Sequence, residues 1–128
     1  MPNSLLDTNI LVLQLRGDQK IRSLTDHLAR TGTLYISTVT RAEILAGMRP
    51  QQTKQTHELL ITLESIAIDS PIADQAGRWM YQYARKGVQL TLADALIAAT
   101  ALLEELTLIT TNVKHFPMPE LQVHAVQR

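Results

Sequence analysis

Leu5-Leu6 ends on a carboxylate at Asp7, and apolar residues resume at Ile10-Leu11-Val12 with a spacing that fits a helix. An apolar run this short reads as a buried strand, with Thr8 or Asn9 capping the helix that follows. Asp7 then stands at the strand's carboxyl end. Ligands of an open α/β sheet bind in the crevice outside the carboxyl ends of its strands. One segment thus sets an expectation for both the fold class and the place where a site lies.

The same alternation recurs along the chain. A helical pattern runs from about Gln19 to Arg30, with Ile21, Leu24 and Leu28 on one face and Gly32 as its stop. Leu34-Tyr35-Ile36 follows as a strand, then a helix over Val39 to Met48 closed by Arg49-Pro50. Another helical pattern covers about Lys54 to Leu63, and Ser65-Ile66-Ala67-Ile68 alternates as a strand. Ser70-Pro71 opens a helix that carries Trp79, Tyr81 and Tyr83 and stops at Gly87. Thr91 opens a further helix, Leu92 to Leu103, apolar almost all round and therefore buried. Thr107-Leu108-Ile109-Thr110 and Leu121 to Ala125 complete the strands. Strands alternating with helices predict an α/β fold, a mostly parallel sheet covered on both faces. At 128 residues, with no repeat and no linker, the chain reads as one domain over residues 1–128.

Charge and cysteine content narrow the chemistry. Lys plus Arg equals Asp plus Glu at 12 each, so no overall basic field draws in a polyanion, and a nucleic-acid partner has to be held by a local patch or by metal. Arg41, Arg49, Lys86 and Lys114 are the candidates for such a patch, with solvated charge as the ordinary reading of each. With no cysteine, disulfides, zinc thiolate sites and cysteine nucleophiles are all excluded, which fits a cytosolic protein. Met1-Pro2-Asn3-Ser4 lacks the basic region of a secretory signal, and no apolar run is long enough to span a membrane. There is no Walker-type or dinucleotide-binding glycine loop.

Two other acids, Glu43 and Asp94, occupy places like that of Asp7, early in helices that follow a strand or loop. If the strand ends are neighbours, the three meet in one pocket, where they repel one another unless a cation joins them. Hard oxygen donors suit Mg²⁺ or Mn²⁺, and the chemistry such a site permits is phosphodiester hydrolysis. The plainer reading of the same residues is structural. Thr40-Arg41-Ala42-Glu43 and Thr91-Leu92-Ala93-Asp94 both fit a capping box, and Asp7 fits an N-cap. Asn112 is a fourth candidate, just past the strand ending at Thr110. His115, after it, is in sequence reach of a phosphate, whereas His27 and His57 fall in helical patterns and read as surface residues.

Four segments in order carry a resemblance: Leu5-Leu6-Asp7-Thr8-Asn9, residues 37–44 (Ser37 to Ile44), residues 92–99 (Leu92 to Ala99) and Thr110-Thr111-Asn112-Val113-Lys114-His115-Phe116. In them the chain resembles PIN-domain proteins, and specifically the VapC-type toxins of bacterial toxin–antitoxin pairs. The resemblance implies a Rossmann-like parallel sheet, Mg²⁺ or Mn²⁺ on an acidic cluster, endonucleolytic cleavage of RNA, a homodimer and inhibition by a cognate antitoxin. It also makes Asp7 and Asp94 the principal metal ligands and Glu43 a third acid that binds metal or orients the water. Thr8 and Asn9 would support Asp7 through hydrogen bonds. Many relatives carry a fourth acid near position 112, where this chain offers the neutral oxygen of Asn112. Two other readings stand beside this one: a PIN-like module that binds RNA or a partner with little catalysis, and a nuclease of the same fold acting on DNA.

Overall fold

The computed structural model describes residues 3–127; Met1 and Pro2, where the expected lack of a secretory signal begins, lie outside the described residues. The chain runs β1 (Ser4–Leu6), α1 (Thr8–Leu15), α2 (Gln19–Thr31), β2 (Leu34–Ser37), α3 (Thr38–Ala46), α4 (Thr53–Ile61), β3 (Glu64–Ile66), α5 (Ser70–Arg85), α6 (Leu92–Leu103), β4 (Thr107–Thr110) and β5 (Val123–Ala125). The strands form one sheet in the order β3-β2-β1-β4-β5, with every pairing parallel. The expected strands over residues 65–68 and 121–125 end up shorter than their alternating patterns, because Ala67 and Ile68 and then Leu121 and Gln122 fall outside the ladders, and β3 starts one residue earlier, at Glu64.

Successive strand residues point to opposite faces, and the two hydrophobic cores divide accordingly. Leu5 and Leu108 join Ile72, Ala76 and Trp79 of α5 and the buried alanines of α6 on one face. Leu6, Ile36 and Ile109 join Ile10, Leu11 and Leu13 of α1, Ile21 of α2 and Leu60 of α4 on the other. Both faces are therefore covered, as a parallel sheet requires. Small side chains on α6, with Ala95, Ala98 and Ala99 fully buried, let that helix lie close to the sheet. The hydroxyl of buried Thr100 is satisfied inside the helix by the carbonyl of Leu96 at 2.8 Å.

Several helix starts differ from the sequence reading, and the difference bears on the site. Asp7 itself caps α1, taking the N–H of Thr8 at 2.8 Å, so neither Thr8 nor Asn9 is the cap. Asp69, not Ser70, caps α5, and Pro71 follows in the first turn. In α3, Ser37 is the cap and Thr38 already helical, which puts Glu43 in the second turn; Thr40 and Glu43 are not a capping box. The chain gains by this a Glu43 whose carboxylate is free of backbone duty.

Helices α1, α5 and α6 end alike. The residue after the C-cap turns left-handed, and the next N–H reaches back to a carbonyl in the last turn, Asp18 to Leu13, Val88 to Tyr83 and Leu106 to Ala101. Glycine fills the left-handed place after α1 and α5, Gly17 at φ 85° and Gly87 at φ 81°, whereas Glu105 holds it after α6 at φ 57°. A side chain in that region costs roughly 1 kcal/mol or more. Glu105→Gly should therefore stabilise the protein by about 0.5–1 kcal/mol, after allowance for the greater freedom of glycine in the unfolded chain. Urea unfolding checks this, and an unchanged or lower midpoint would contradict it.

Candidate active site

Strand order reverses its direction of growth at β1. From there the chain adds β2 and β3 on one side, then β4 and β5 on the other. A crevice opens at such a switch point, outside the carboxyl ends of the two central strands. Asp7 follows β1, and Thr110 ends the neighbouring β4. The strand register holds them together, because Leu6 pairs with Ile109 and the N–H of Asp7 donates to the Ile109 carbonyl at 3.0 Å.

Asp7 is only 5% exposed. Its Oδ1 accepts from the N–H of Thr8, and its Oδ2 accepts from the fully buried Thr110 hydroxyl at 2.7 Å. Thr110 Oγ1 accepts in turn from the N–H of Asn112 at 2.9 Å, which fixes the chain where it leaves β4. Thr110 was not among the residues expected to serve the site. Its signal was present in the sequence, since a hydroxyl at the end of a strand beside Asp7 is the simplest buried donor to a carboxylate.

Glu43 is exposed and approaches through Thr8. The Thr8 hydroxyl donates to Glu43 Oε1 at 2.6 Å and has the buried Thr40 hydroxyl as a second partner at 3.0 Å. Asp94 lies in the first turn of α6, where its N–H donates to the Thr91 cap at 3.1 Å. One oxygen of its carboxylate, Oδ2, lies 3.3 Å from Nδ1 of His115. His115 thereby joins the site, while His27 and His57 are exposed on α2 and α4. The amide of Asn9 donates to the Thr111 hydroxyl at 2.6 Å rather than to Asp7, so it steadies the loop after β4. Of the four candidates for a basic patch, Arg41 reaches Ser65 and Lys86 lies over the Tyr83 ring.

Burial raises the pKa of Asp7 most, and the charges of Asp94 and then Glu43 raise it further, against the lowering effect of the Thr110 and Thr8 hydrogen bonds. Asp7 thus feels both neighbouring acids. Among the described residues, however, no three His, Cys, Asp or Glu side chains lie close enough to enclose an ion directly. No direct three-ligand cage is thus formed among the described residues, while the charges of Asp94 and Glu43 still act on Asp7 over a longer range. Mg²⁺ keeps several waters and is held by one or two carboxylates. A buried carboxylate pushed towards its neutral form, flanked by two acids and by no lysine or arginine ion pair among the described residues, fits such an ion.

A PIN-domain model matches residues 4–117. The chain belongs to the PIN-domain family. Within it, the chain is similar to Ribonuclease VapC10 of Mycobacterium tuberculosis, with 38% identity over 116 residues, 91% of this chain and 87% of the relative. Ribonuclease VapC19 of the same organism is 35% identical over 120 residues, 92% of this chain and 96% of the relative. Among solved structures, VapBC2 from Rickettsia felis bound to a promoter DNA fragment superposes with a TM-score of 0.83 at 25% identity, covering 96% of this chain and 98% of that one. A toxin–antitoxin complex from Klebsiella pneumoniae gives 0.79 at 32% identity, covering 95% and 96%. This is the VapC group of PIN domains, and the α/β architecture expected from the sequence agrees with it.

The Thr110 hydroxyl stabilises the charged form of Asp7. Its contribution is present above the carboxyl pKa and lost as pH falls through it. Thr110→Val should therefore cost about 1.5–3 kcal/mol at pH 7, the range for a hydrogen bond to a charged group, and clearly less near pH 4. Denaturant melts at the two pH values decide this; equal losses at both would show that Thr110 acts through packing alone.

Proposed function

We propose that this PIN domain is a metal-dependent endoribonuclease, the toxin of a toxin–antitoxin pair, and that Asp7, Asp94 and Glu43 carry the reaction. The carrying observation is the buried Asp7 carboxylate at the switch point, with a pKa raised by its burial and by two neighbouring acids. Asp7 and Asp94 are the residues that would hold Mg²⁺ or Mn²⁺. The ion supplies positive charge that makes a water more acidic and offsets charge on the leaving oxygen. Glu43 has one oxygen fixed by Thr8 and the other available, so it can orient the attacking water and take its proton. As the water oxygen bonds to phosphorus, the bond from phosphorus to the leaving ribose oxygen breaks. RNA as substrate rests on the similarity to relatives named ribonucleases.

A protein inhibitor is proposed by analogy with the solved complexes of similar chains. A homodimer accords with the large apolar side chains left exposed, among them Leu92 at 61% and Leu103 at 41%. Among the described residues no helix is long and apolar enough to cross a membrane, and we place the activity in the cytoplasm. A binding module with little catalysis is the second reading, favoured by the absence of a closed three-ligand cage among the described residues.

Amide substitutions separate these readings. Asp7→Asn, Asp94→Asn and Glu43→Gln keep side-chain shape, and Asn caps a helix about as well as Asp. Each variant should stay folded, with Asp7→Asn melting at or above wild type in chelator because a buried charge is gone. Mg²⁺-dependent cleavage of RNA should fall by about two orders of magnitude or more in each. Added Mg²⁺ should raise the melting temperature of wild type but not of Asp7→Asn. Cleavage of single-stranded DNA at the same rate as RNA would favour the DNA nuclease. A wild type that cleaves neither and shows no shift with millimolar Mg²⁺ or Mn²⁺ would favour the binding module.

A further inference from the structure

Beside the carboxylates lies a second feature, built on the segment after β4 that carries Asn112 and His115. A cavity of about 510 Å³ opens at the end of β4, lined by Asn9, Thr111, Asn112, Val113, Lys114 and His115 together with residues 125–127. It adjoins the acids through two of these residues, for Asn9 is two positions from Asp7 and His115 contacts Asp94 at 3.3 Å. The volume falls within the roughly 300–1,000 Å³ of small-ligand sites.

The lining has the make-up of a nucleotide site. Asn9 is held by Thr111, and Thr110 fixes the backbone of Asn112, so two side-chain amides are presented on a backbone that is already ordered. Among the described residues the Asn112 amide and the exposed Lys114 ammonium have no hydrogen-bond or ion-pair partner within the chain. An amide offers a donor and an acceptor side by side, which matches the edge of a base. An ammonium offers charge to a phosphate without regard to sequence. Val113 and residue 126, a valine, add apolar surface for the face of a ring. Bases of single-stranded RNA are free to turn into such a pocket because they are unpaired.

We propose that this cavity seats one nucleotide of single-stranded RNA next to the phosphate that is cut, with Asn112 reading the base edge and Lys114 gripping the backbone. The proposal rests on the ribonuclease reading for its substrate class. It explains how a chain with no net charge holds a polyanion: the needed cation is placed at the site rather than spread over the surface. It also makes the segment after β4 the source of base preference at one position.

Two measurements on the full chain test it together. Cut sites are mapped on a random-sequence single-stranded RNA with Mg²⁺ for wild type, Asn112→Ala, Asn112→Ser and Lys114→Gln, and affinity for a labelled RNA hexamer is measured by anisotropy in EDTA. His27→Gln, on exposed α2, is the control. The Asn112 variants should lose the base preference at one position beside the cut and bind the preferred hexamer about tenfold more weakly. Lys114→Gln should weaken all hexamers alike and lower the slope of log affinity against log salt by about one. If the variants cut the same sites and bind as wild type does, the cavity belongs to another partner and the proposal is overturned, while RNA cleavage by wild type would still uphold the ribonuclease. If wild type binds RNA through Asn112 and Lys114 but cuts nothing, the pocket stands and the catalytic reading falls. If it neither binds nor cuts, both fall.

Discussion

The hydrogen bond from Thr110 to Asp7 spans the two central strands where the sheet changes direction. Its two partners are 103 residues apart in the chain and 2.7 Å apart in space. It exists only if β1 and β4 are neighbours in the observed register, so the whole order of the sheet is expressed in it. Burying a carboxylate is costly unless hydrogen bonds meet its oxygens. Here one oxygen is met by the start of α1 and the other by the end of β4, which ties helix, strand and site into one unit.

Burial first, and then the charges of the two neighbouring acids, disfavour the charged form of Asp7 and raise its pKa. Residues that disfavour the empty state are the ones that gain most from a cation, so instability and ligand affinity have the same origin here. Hydrogen bonds fix the residues around the acids in place. Thr8 holds Glu43, Thr91 holds the backbone of Asp94, and Asn9 holds Thr111. The hydroxyls here, Thr8 donating to Glu43 and Thr91 and Thr111 each accepting an N–H, are neutral and bring no charge that would compete with a cation.

Much of this was legible in the residues. Helix α6 and strand β4 match their expected spans end for end, because each is bounded by a clear cap or turn: Thr91 opens α6, and the left-handed Glu105 separates it from β4. Asp7, Glu43 and Asp94 stood out as acids near helix starts, and the structure puts them at different depths: Asp7 as a cap, Asp94 in a first turn and Glu43 in a second turn. Less legible was which side chain serves which backbone group. Ser37, Asp69 and Asp7 each took a capping role that the local pattern also allowed a neighbour to take, since several adjacent residues can accept the same N–H. The pairings of Thr110 with Asp7 and of His115 with Asp94 were less legible, because each joins separate segments that only the fold brings together.

A direct measurement on Asp7 probes the central claim, that a buried carboxylate at the switch point is held poised for a cation. The carboxyl carbon of Asp7 can be followed by ¹³C NMR as pH is varied, with and without Mg²⁺, and assigned through Asp7→Asn. The account predicts a metal-free pKa above the ordinary aspartate value near 3.8 and a fall when Mg²⁺ is added, since a nearby cation favours the charged form. An ordinary pKa that does not respond to Mg²⁺ would contradict it.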